Sequence, residues 1–389
     1  MKKIALSSIF FTVSTLLVLT LLVPTAVAQE EPVKIGFFSP LSGFAAADGR
    51  SALYGAQIAV DFINENGGIN GREVKLIHYD DAAQADQAAS IARKLIERDK
   101  IDIGVSGSYS TPTRAAAGIF QSSNVPLISA YAVHPSIIET GDLISRVGMG
   151  APVQGVAGAI LAVEELGVRK IAILTIDNDF GVSLSEHFKE KAVELGAEIV
   201  FEKKFSLGES EFRGLLGSVK DANPELIYAT GYFSEAAHLV SQAREMGIQA
   251  PIIGQEGYDS PKFIELAGRY ANRTIITTDL NRDSDREIVH KFLEGYKERA
   301  GVPGDMVGAS AFDGVQVAAY AIEKAGTDPQ AIMSAINGIK NLDTVVTGPF
   351  YEFKGREAIR PIEVQIVRGG EFHEFMVMKD KNIIYPPTD

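Results

Sequence analysis

Apolar residues along the chain fall into two alternating patterns. Short apolar runs, such as residues 33–38 and 170–176, are rich in β-branched side chains and have the length of buried strands. The longer stretches between them place apolar side chains every three or four residues, as in a helix with one buried face. Residues 51–66 show this spacing, with Leu53, Ala56, Val60 and Ile63 on one face. The alternation predicts parallel sheets covered by helices on both faces.

This rhythm of strand and helix occurs twice. It runs from residue 33 to about 130, then restarts with a helix over 151–166 and continues to a strand at 251–254. Two long helices, at 284–300 and 307–325, come next. The last forty residues are β-rich, with Gly369-Gly370 as a hairpin turn. We therefore expect two α/β units, with the tail returning to an earlier unit to complete its sheet.

The N-terminal residues have the features of an export signal. Two lysines follow Met1, the next 20 residues (4–23) carry no charge, and Ala26-Val27-Ala28 precedes an acidic stretch. These features predict a signal peptide, residues 1–28, that is cleaved before Gln29. The apolar run is also long enough for an uncleaved membrane anchor, which is the alternative. The chain contains no cysteine, so the lipid anchor of bacterial lipoproteins is excluded, and we expect a free periplasmic protein.

The net charge and the residue types present argue against several classes of function. The formal net charge is −13, which opposes binding to nucleic acid. The six histidines are scattered and cysteine ligands are absent, so we expect neither a metal site nor a cofactor. Gly148-Met149-Gly150 resembles the start of a dinucleotide-binding loop, but Val153 stands where the third glycine belongs. With no catalytic motif present, we do not expect an enzyme.

A binding site is better supported than catalysis. Ser110-Thr111-Pro112 lies between a predicted strand and a predicted helix that begins at about Pro112. Proline suits a first helical turn, and a serine or threonine before it can cap the helix. Backbone N–H groups at such a helix start can bind a carboxylate. A plain helix cap without a ligand is the alternative.

Several segments resemble one family over essentially the whole length after the signal. They are NENGGINGREVKL at 64–76, YDD at 79–81, VPLIS at 125–129, DFG at 179–181, GY at 231–232 and GQEG at 254–257. Together they are similar to the branched-chain amino-acid-binding proteins of ABC importers. The resemblance implies two Rossmann-like lobes joined by three crossings, near 148–154, 276–281 and 355–362. The N-terminal lobe would comprise 29–151 and 279–355, and the C-terminal lobe 152–278 and 356–389. Glycines 148, 150 and 355 would serve as hinges.

The same resemblance implies a ligand site between the lobes. Ser110, with Thr111 beside it, would hold a ligand carboxylate, and Glu256 would face the ligand ammonium group. Tyr232 would line the second-lobe wall, Phe180 would pack over the ligand, and Tyr131 would offer its backbone carbonyl to the ammonium group. Two positions depart from the family pattern, where Val133 replaces a hydroxyl residue and Asp48 stands near a position that is often aromatic. For these two the alternatives are ordinary wall packing and a solvated loop acid.

The expected function is capture of a small amino acid, branched-chain or aliphatic, and its delivery to an inner-membrane ABC permease. The protein is expected to act as a monomer. The departures at Val133 and Asp48 leave open a polar amino acid, an amide or a non-amino carboxylate. A sensor of the same fold that reports ligand to a receptor is a further alternative.

Overall fold

The computed structural model describes residues 31–385, so the predicted signal peptide, residues 1–28, lies outside the described residues. The first stretch of chain forms a run of parallel strands with intervening helices. Its inner strands are buried on both faces, as the continuous apolar runs predict, whereas the edge strand over Val74–Asp80 is partly exposed. The elements are β1 (Val33–Ser39), α1 (Ala46–Glu65), β2 (Val74–Asp80), α2 (Ala85–Arg93), β3 (Ile103–Ser106), α3 (Ser110–Ser122), β4 (Leu127–Ser129), α4 (Ser136–Glu139) and β5 (Ile144–Arg146).

The second stretch repeats this arrangement. Here too strands alternate with helices, in agreement with the sequence pattern. The elements are α5 (Ala151–Ile160), β6 (Lys170–Ile176), α6 (Asp179–Glu194), β7 (Glu198–Phe205), α7 (Arg213–Ala222), β8 (Leu226–Ala229), α8 (Phe233–Glu245), β9 (Ile252–Gly254), α9 (Pro261–Ala267) and β10 (Thr274–Thr278).

The third stretch supplies elements to both sheets. It opens with helices, continues with strands and ends with a short helix. The elements are α10 (Glu287–Ala300), α11 (Met306–Ala325), α12 (Pro329–Asn337), β11 (Lys340–Leu342), β12 (Phe350–Lys354), β13 (Glu357–Ile359), β14 (Ile362–Arg368), β15 (Glu371–Met378) and α13 (Lys381–Ile384). The predicted hairpin turn at Gly369-Gly370 is confirmed, since both glycines have positive φ between β14 and β15.

The strands form two separate mixed sheets. The first has the order β11-β12-β13-β5-β4-β3-β1-β2, and the second β15-β14-β10-β9-β8-β6-β7. Helices α1, α10, α11 and α12 pack on the first sheet or on one another, whereas α5, α6, α8 and α9 belong with the second. We call these two parts the first lobe and the second lobe. The tail does return, as predicted, because β14 and β15 pair antiparallel beside β10.

The chain passes between the two sheets three times. The passages are at 147–150, between β5 and α5; after Thr278 at the end of β10; and at 360–361, between β13 and β14. Strand β13 still pairs with β12 and β5 in the first sheet. The third passage therefore lies a few residues after the predicted lobe boundary at 355/356. Gly355, with a φ of 58°, lies in the turn between β12 and β13 of the first sheet, a few residues before the third passage.

Two helices on the first lobe begin earlier than their apolar spacing predicts. Helix α1 starts at Ala46 and not at residue 51, and its first turn includes the buried Asp48. Helix α3 starts at Ser110, so Ser110 and Thr111 belong to its first turn and do not cap it. The residue before it, Tyr109, makes no capping hydrogen bond through its side chain. Asp48 and Ser110 are therefore buried polar residues in first helical turns, where they do not act as N-caps.

Candidate functional site

The candidate site lies where strands of both sheets end. Asp48 and Tyr131 follow β1 and β4 in the first lobe, whereas Tyr232 and Glu256 follow β8 and β9 in the second. In open α/β sheets, ligands bind outside the carboxyl ends of the strands. A narrow cavity between the lobes at this point is lined by Asp48, Tyr109, Ser110, Tyr131, Ala132, Phe180, Tyr232, Glu256, Gly257, Met306 and Val307.

The structure brings most of the predicted site residues together and leaves two out. Asp48, Ser110, Tyr131, Phe180, Tyr232 and Glu256 all line the cavity, whereas Thr111 and Val133 do not. Val133 is fully buried, and its carbonyl accepts a hydrogen bond of 2.9 Å from the N–H of Ala151 at the first passage. Val133 therefore packs inside the protein and does not form part of the wall of this cavity.

Thr111 lies at the rim, where it joins the lobes. Its hydroxyl donates to Oδ2 of Asp179 over 3.2 Å, and Arg114 forms an ion pair with the same oxygen at 2.7 Å. Thr111 and Arg114 belong to α3 in the first lobe, whereas Asp179 is the first residue of α6 in the second. These contacts hold the two helix starts against each other. We call Thr111, Arg114 and Asp179 the rim latch.

Aromatic rings from both lobes meet inside the cleft. Tyr109, from the first lobe, stacks on Tyr232, from the second, with ring centroids 4.2 Å apart and planes 9° apart. Phe180 stacks on Tyr232 at 4.9 Å, and Tyr131 meets Tyr109 edge-on at 6.4 Å. Tyr109 was not predicted as a site residue, although its position directly before Ser110 was a usable signal. The site is thus bounded by flat apolar surfaces with a few polar groups between them, as is usual for small-molecule sites.

Glu256 is a buried carboxylate in the wall of the second lobe. It is 3% exposed, and the side-chain amide of Gln154 donates to its Oε2 over 2.7 Å. Burial raises the pKa of Glu256 well above its ordinary value, and repulsion from Asp279 adds to this effect. Arg360 and Arg146 lower the pKa through their charge, yet neither forms an ion pair with Glu256 among the described residues. The carboxylate therefore lacks a cation in direct contact.

Ser110 presents a polar atom with no protein partner. Its side chain is 3% exposed, and its hydroxyl oxygen has no hydrogen-bond partner among the described residues. Buried polar groups in folded proteins are nearly always hydrogen-bonded, because leaving them unpaired costs about 1–3 kcal/mol. Since the cavity is next to this hydroxyl, a bound molecule is the natural source of its partner.

A series of polar contacts connects Glu256 to the three passages. Gln154 also donates to the carbonyl of Met149, at the first passage, over 3.2 Å. The backbone of Met149 lowers the pKa of Asp279, directly after β10, and Asp279 forms an ion pair with Arg360 at the third passage. Both members of this ion pair are buried. We call Gln154, Met149, Asp279 and Arg360 the hinge chain.

Within residues 31–385 no helix is both long and apolar enough to cross a membrane. The same residues contain no group of three or more side chains placed to hold a metal ion.

Comparison with known proteins decides the family. The family model described as "Periplasmic binding protein" matches residues 32–371, which is most of the chain. The chain belongs to the periplasmic binding protein family. Within that family it is similar to the leucine-, isoleucine-, valine-, threonine- and alanine-binding protein of Pseudomonas aeruginosa, at 28% identity over 310 residues, which cover 79% of this chain and 82% of the relative.

Solved structures of this family give the same picture. The leucine-binding protein LivK of Thermotoga maritima superimposes with a TM-score of 0.83 at 29% identity, over 90% of this chain and 99% of that structure. A solute-binding protein of an ABC transporter from Rhodopseudomonas palustris, in complex with 3,4-dihydroxybenzoic acid, has a TM-score of 0.83 at 23% identity, over 92% and 99%. The latter likeness shows the fold alone. The chain is therefore a periplasmic binding protein in both sequence and fold, and the relatives named here are binding proteins.

Proposed function

We propose that this protein binds an amino acid between its two lobes and delivers it to an ABC permease in the inner membrane. The observation that carries the proposal is Glu256, a buried carboxylate facing the cleft without a contacting cation. A buried charge is costly unless it is paired, so the site favours a ligand that brings a positive group. An α-ammonium group meets this requirement.

Ser110 supports the other end of the same ligand. Its unpartnered hydroxyl lies at the first turn of α3, where free N–H groups and the positive end of the helix favour an anion. An α-carboxylate fits this position. An ammonium group at Glu256 and a carboxylate at Ser110 are the two charged groups of an amino acid, held by opposite lobes. Binding both of them would stabilise contact between the lobes.

The relatives agree with this proposal. The Pseudomonas protein is named for five amino acids, and the Thermotoga protein is named for leucine. Capture in the periplasm and delivery to a permease is the role of such solute-binding proteins, and the predicted signal peptide fits that location. No bond is made or broken in this role.

An aromatic carboxylate is a second candidate ligand. The stacked rings of Tyr109, Tyr232 and Phe180 offer flat surfaces for a ring, and one solved structure of this fold holds a dihydroxybenzoic acid. Such a ligand would bring a negative charge and no cation to Glu256. It would therefore require Glu256 to be protonated, which its raised pKa permits.

Titration of ligands into the protein without its predicted signal peptide separates the two candidates. Leucine, isoleucine, valine, threonine and 4-hydroxybenzoate are tested by calorimetry and by thermal shift on the wild type, on Glu256→Gln and on Glu363→Gln. Glu363 is also a buried acid, but it lies in β14 and does not line the cavity. We expect an amino acid to bind, Glu256→Gln to weaken it at least 100-fold, and Glu363→Gln to change it little. Binding of 4-hydroxybenzoate alone, with full affinity in Glu256→Gln, would refute the amino-acid proposal.

A further inference from the structure

Asp48 is a second buried carboxylate in the cavity, and the proposed contacts of an amino acid leave it unused. Only 4% of its surface is exposed, so it is not a solvated loop acid. It extends from the first turn of α1 in the first lobe, whereas Glu256 lies in the second. A ligand held by Ser110 and Glu256 through its charged groups has only its side chain left to meet Asp48.

The hydrogen bonding of Asp48 is incomplete. The Tyr109 hydroxyl donates to Oδ2 over 2.7 Å, and no other side-chain bond to this carboxylate is found within residues 31–385. An ionised carboxyl group accepts several hydrogen bonds, so Oδ1 has capacity for another donor. Because Asp48 lines the cavity, that donor can come from a bound molecule.

The charges around Asp48 also favour a donor. The charged groups that act most strongly on it are Asp305, Glu235 and Asp259, all of them acidic. Asp305 itself is bonded by the Ser51 hydroxyl and by the N–H of Gly308, so it is satisfied inside the first lobe. Glu235 accepts bonds from Ser234 and from the N–H of Gly208. Asp48 thus stands in a negative field, and among these acids it alone lines the cavity.

We propose that Asp48 is a specificity-determining residue, which binds a hydrogen-bond donor on the side chain of the ligand. The protein would then select amino acids with a hydroxyl, amide or amino group in the side chain over aliphatic ones of the same shape. This inference rests on the proposed amino-acid function. It follows from the cost of the alternative, because an aliphatic side chain would remove water from Asp48 and return no hydrogen bond.

Pairs of amino acids with matched shapes test this selectivity. L-threonine is compared with L-valine, and L-ornithine with L-norleucine, by calorimetry on the wild type, Asp48→Asn and Asp48→Leu. We expect the donor-bearing member of at least one pair to bind the wild type at least tenfold tighter than its partner. In Asp48→Leu that preference should disappear or reverse. Which pair responds distinguishes a neutral donor from a charged one.

The outcomes separate this inference from the proposed function. If valine and norleucine both bind the wild type as tightly as their partners, or if the preference survives in Asp48→Leu, Asp48 does not select the ligand, although amino-acid binding stands. If no amino acid binds the wild type, the proposed function fails and this inference fails with it. Melting curves of the free variants show whether each is folded, and Asp48→Asn keeps the test valid if the leucine variant is not.

Discussion

The rim latch gives a prediction about closure that is independent of the ligand's identity. Asp179 contacts both Thr111 and Arg114 across the cleft, at 3.2 and 2.7 Å. Removing its charge by Asp179→Asn leaves the cavity lining unchanged, since Asp179 does not line it. The variant should therefore alter the equilibrium between separated and contacting lobes without altering any ligand contact.

The size of the effect of Asp179→Asn follows from the solvent exposure of the rim latch. The side chains of Arg114 and Asp179 are 46% and 27% exposed, so water screens their attraction and the pair contributes only about 0.2–1 kcal/mol. The bond from Thr111 adds a similar amount at most. A total of about 1 kcal/mol corresponds to a roughly fivefold change in the ratio of the two forms, and hence in the apparent ligand affinity.

Ligand kinetics and small-angle scattering measure this effect. We expect Asp179→Asn to raise Kd by about two- to fivefold, mainly through faster dissociation, and to increase the radius of gyration of the ligand-free protein. Arg114→Gln should raise Kd in the same way. A variant with both substitutions should not raise Kd beyond either single variant, because both substitutions remove the same ion pair. Added salt should reduce the difference from wild type.

Asp177→Asn is the matched control. Asp177 lies two residues before Asp179, but its ion pair is with Lys204 at 3.0 Å, within the second lobe. This variant should leave Kd and dissociation unchanged. Equal effects of Asp177→Asn and Asp179→Asn, or no effect of Asp179→Asn at low salt, would refute the reasoning.

Two further predictions concern stability. Burial raises the pKa of Asp48 to about 7 and that of Asp313 to about 6, from ordinary values of 3.8. The folded protein therefore holds these protons more tightly than the unfolded chain, so its melting temperature should fall as pH rises from about 4 to 7. Asp313→Asn should make the melting temperature depend less on pH. A melting temperature that rises with pH over that range would contradict this prediction. A Cβ atom on Gly55 of α1 would lie 1.8 Å from the carbonyl oxygen of Gly308 in α11, so Gly55→Ala should lower the free energy of unfolding by about 1–3 kcal/mol in urea titrations. Gly118→Ala, in α3 with no atom within 4 Å of the new carbon, should raise it by up to about 1 kcal/mol, and similar results for both variants would argue against close packing at Gly55.

The alternation of apolar runs was sufficient to predict most of the fold, because buried parallel strands and one-sided helices leave strong local patterns. It failed where contacts between distant segments set an element's end. The first turn of α1 contains few apolar side chains, and Gly49 is needed there because a Cβ would lie 1.8 Å from the carbonyl oxygen of Pro40. Strand β13 has only three residues and is defined by its partners β12 and β5. No local pattern carries such information.

The candidate site was predicted through resemblance to a family and not through periodicity. Ser110 and Glu256 stand in recognisable segments, and the structure places both on one cavity. Tyr109 was missed because its significance depends on Tyr232, more than a hundred residues away, on which it stacks. The burial of Asp48 was equally invisible, since an acid after a glycine- and alanine-rich loop looks solvated until the facing lobe is known.

The return of the chain to both sheets has a consequence for biogenesis. Strand β5 is without its outer neighbour until β13 is available, and β10 is without its antiparallel neighbour until β14 is available. Both of these partners lie within residues 357–368. A growing chain thus carries two open sheet edges almost to its end, and open edges invite pairing with other chains. A protein built in this way cannot complete either sheet until residues 357–368 have been synthesised.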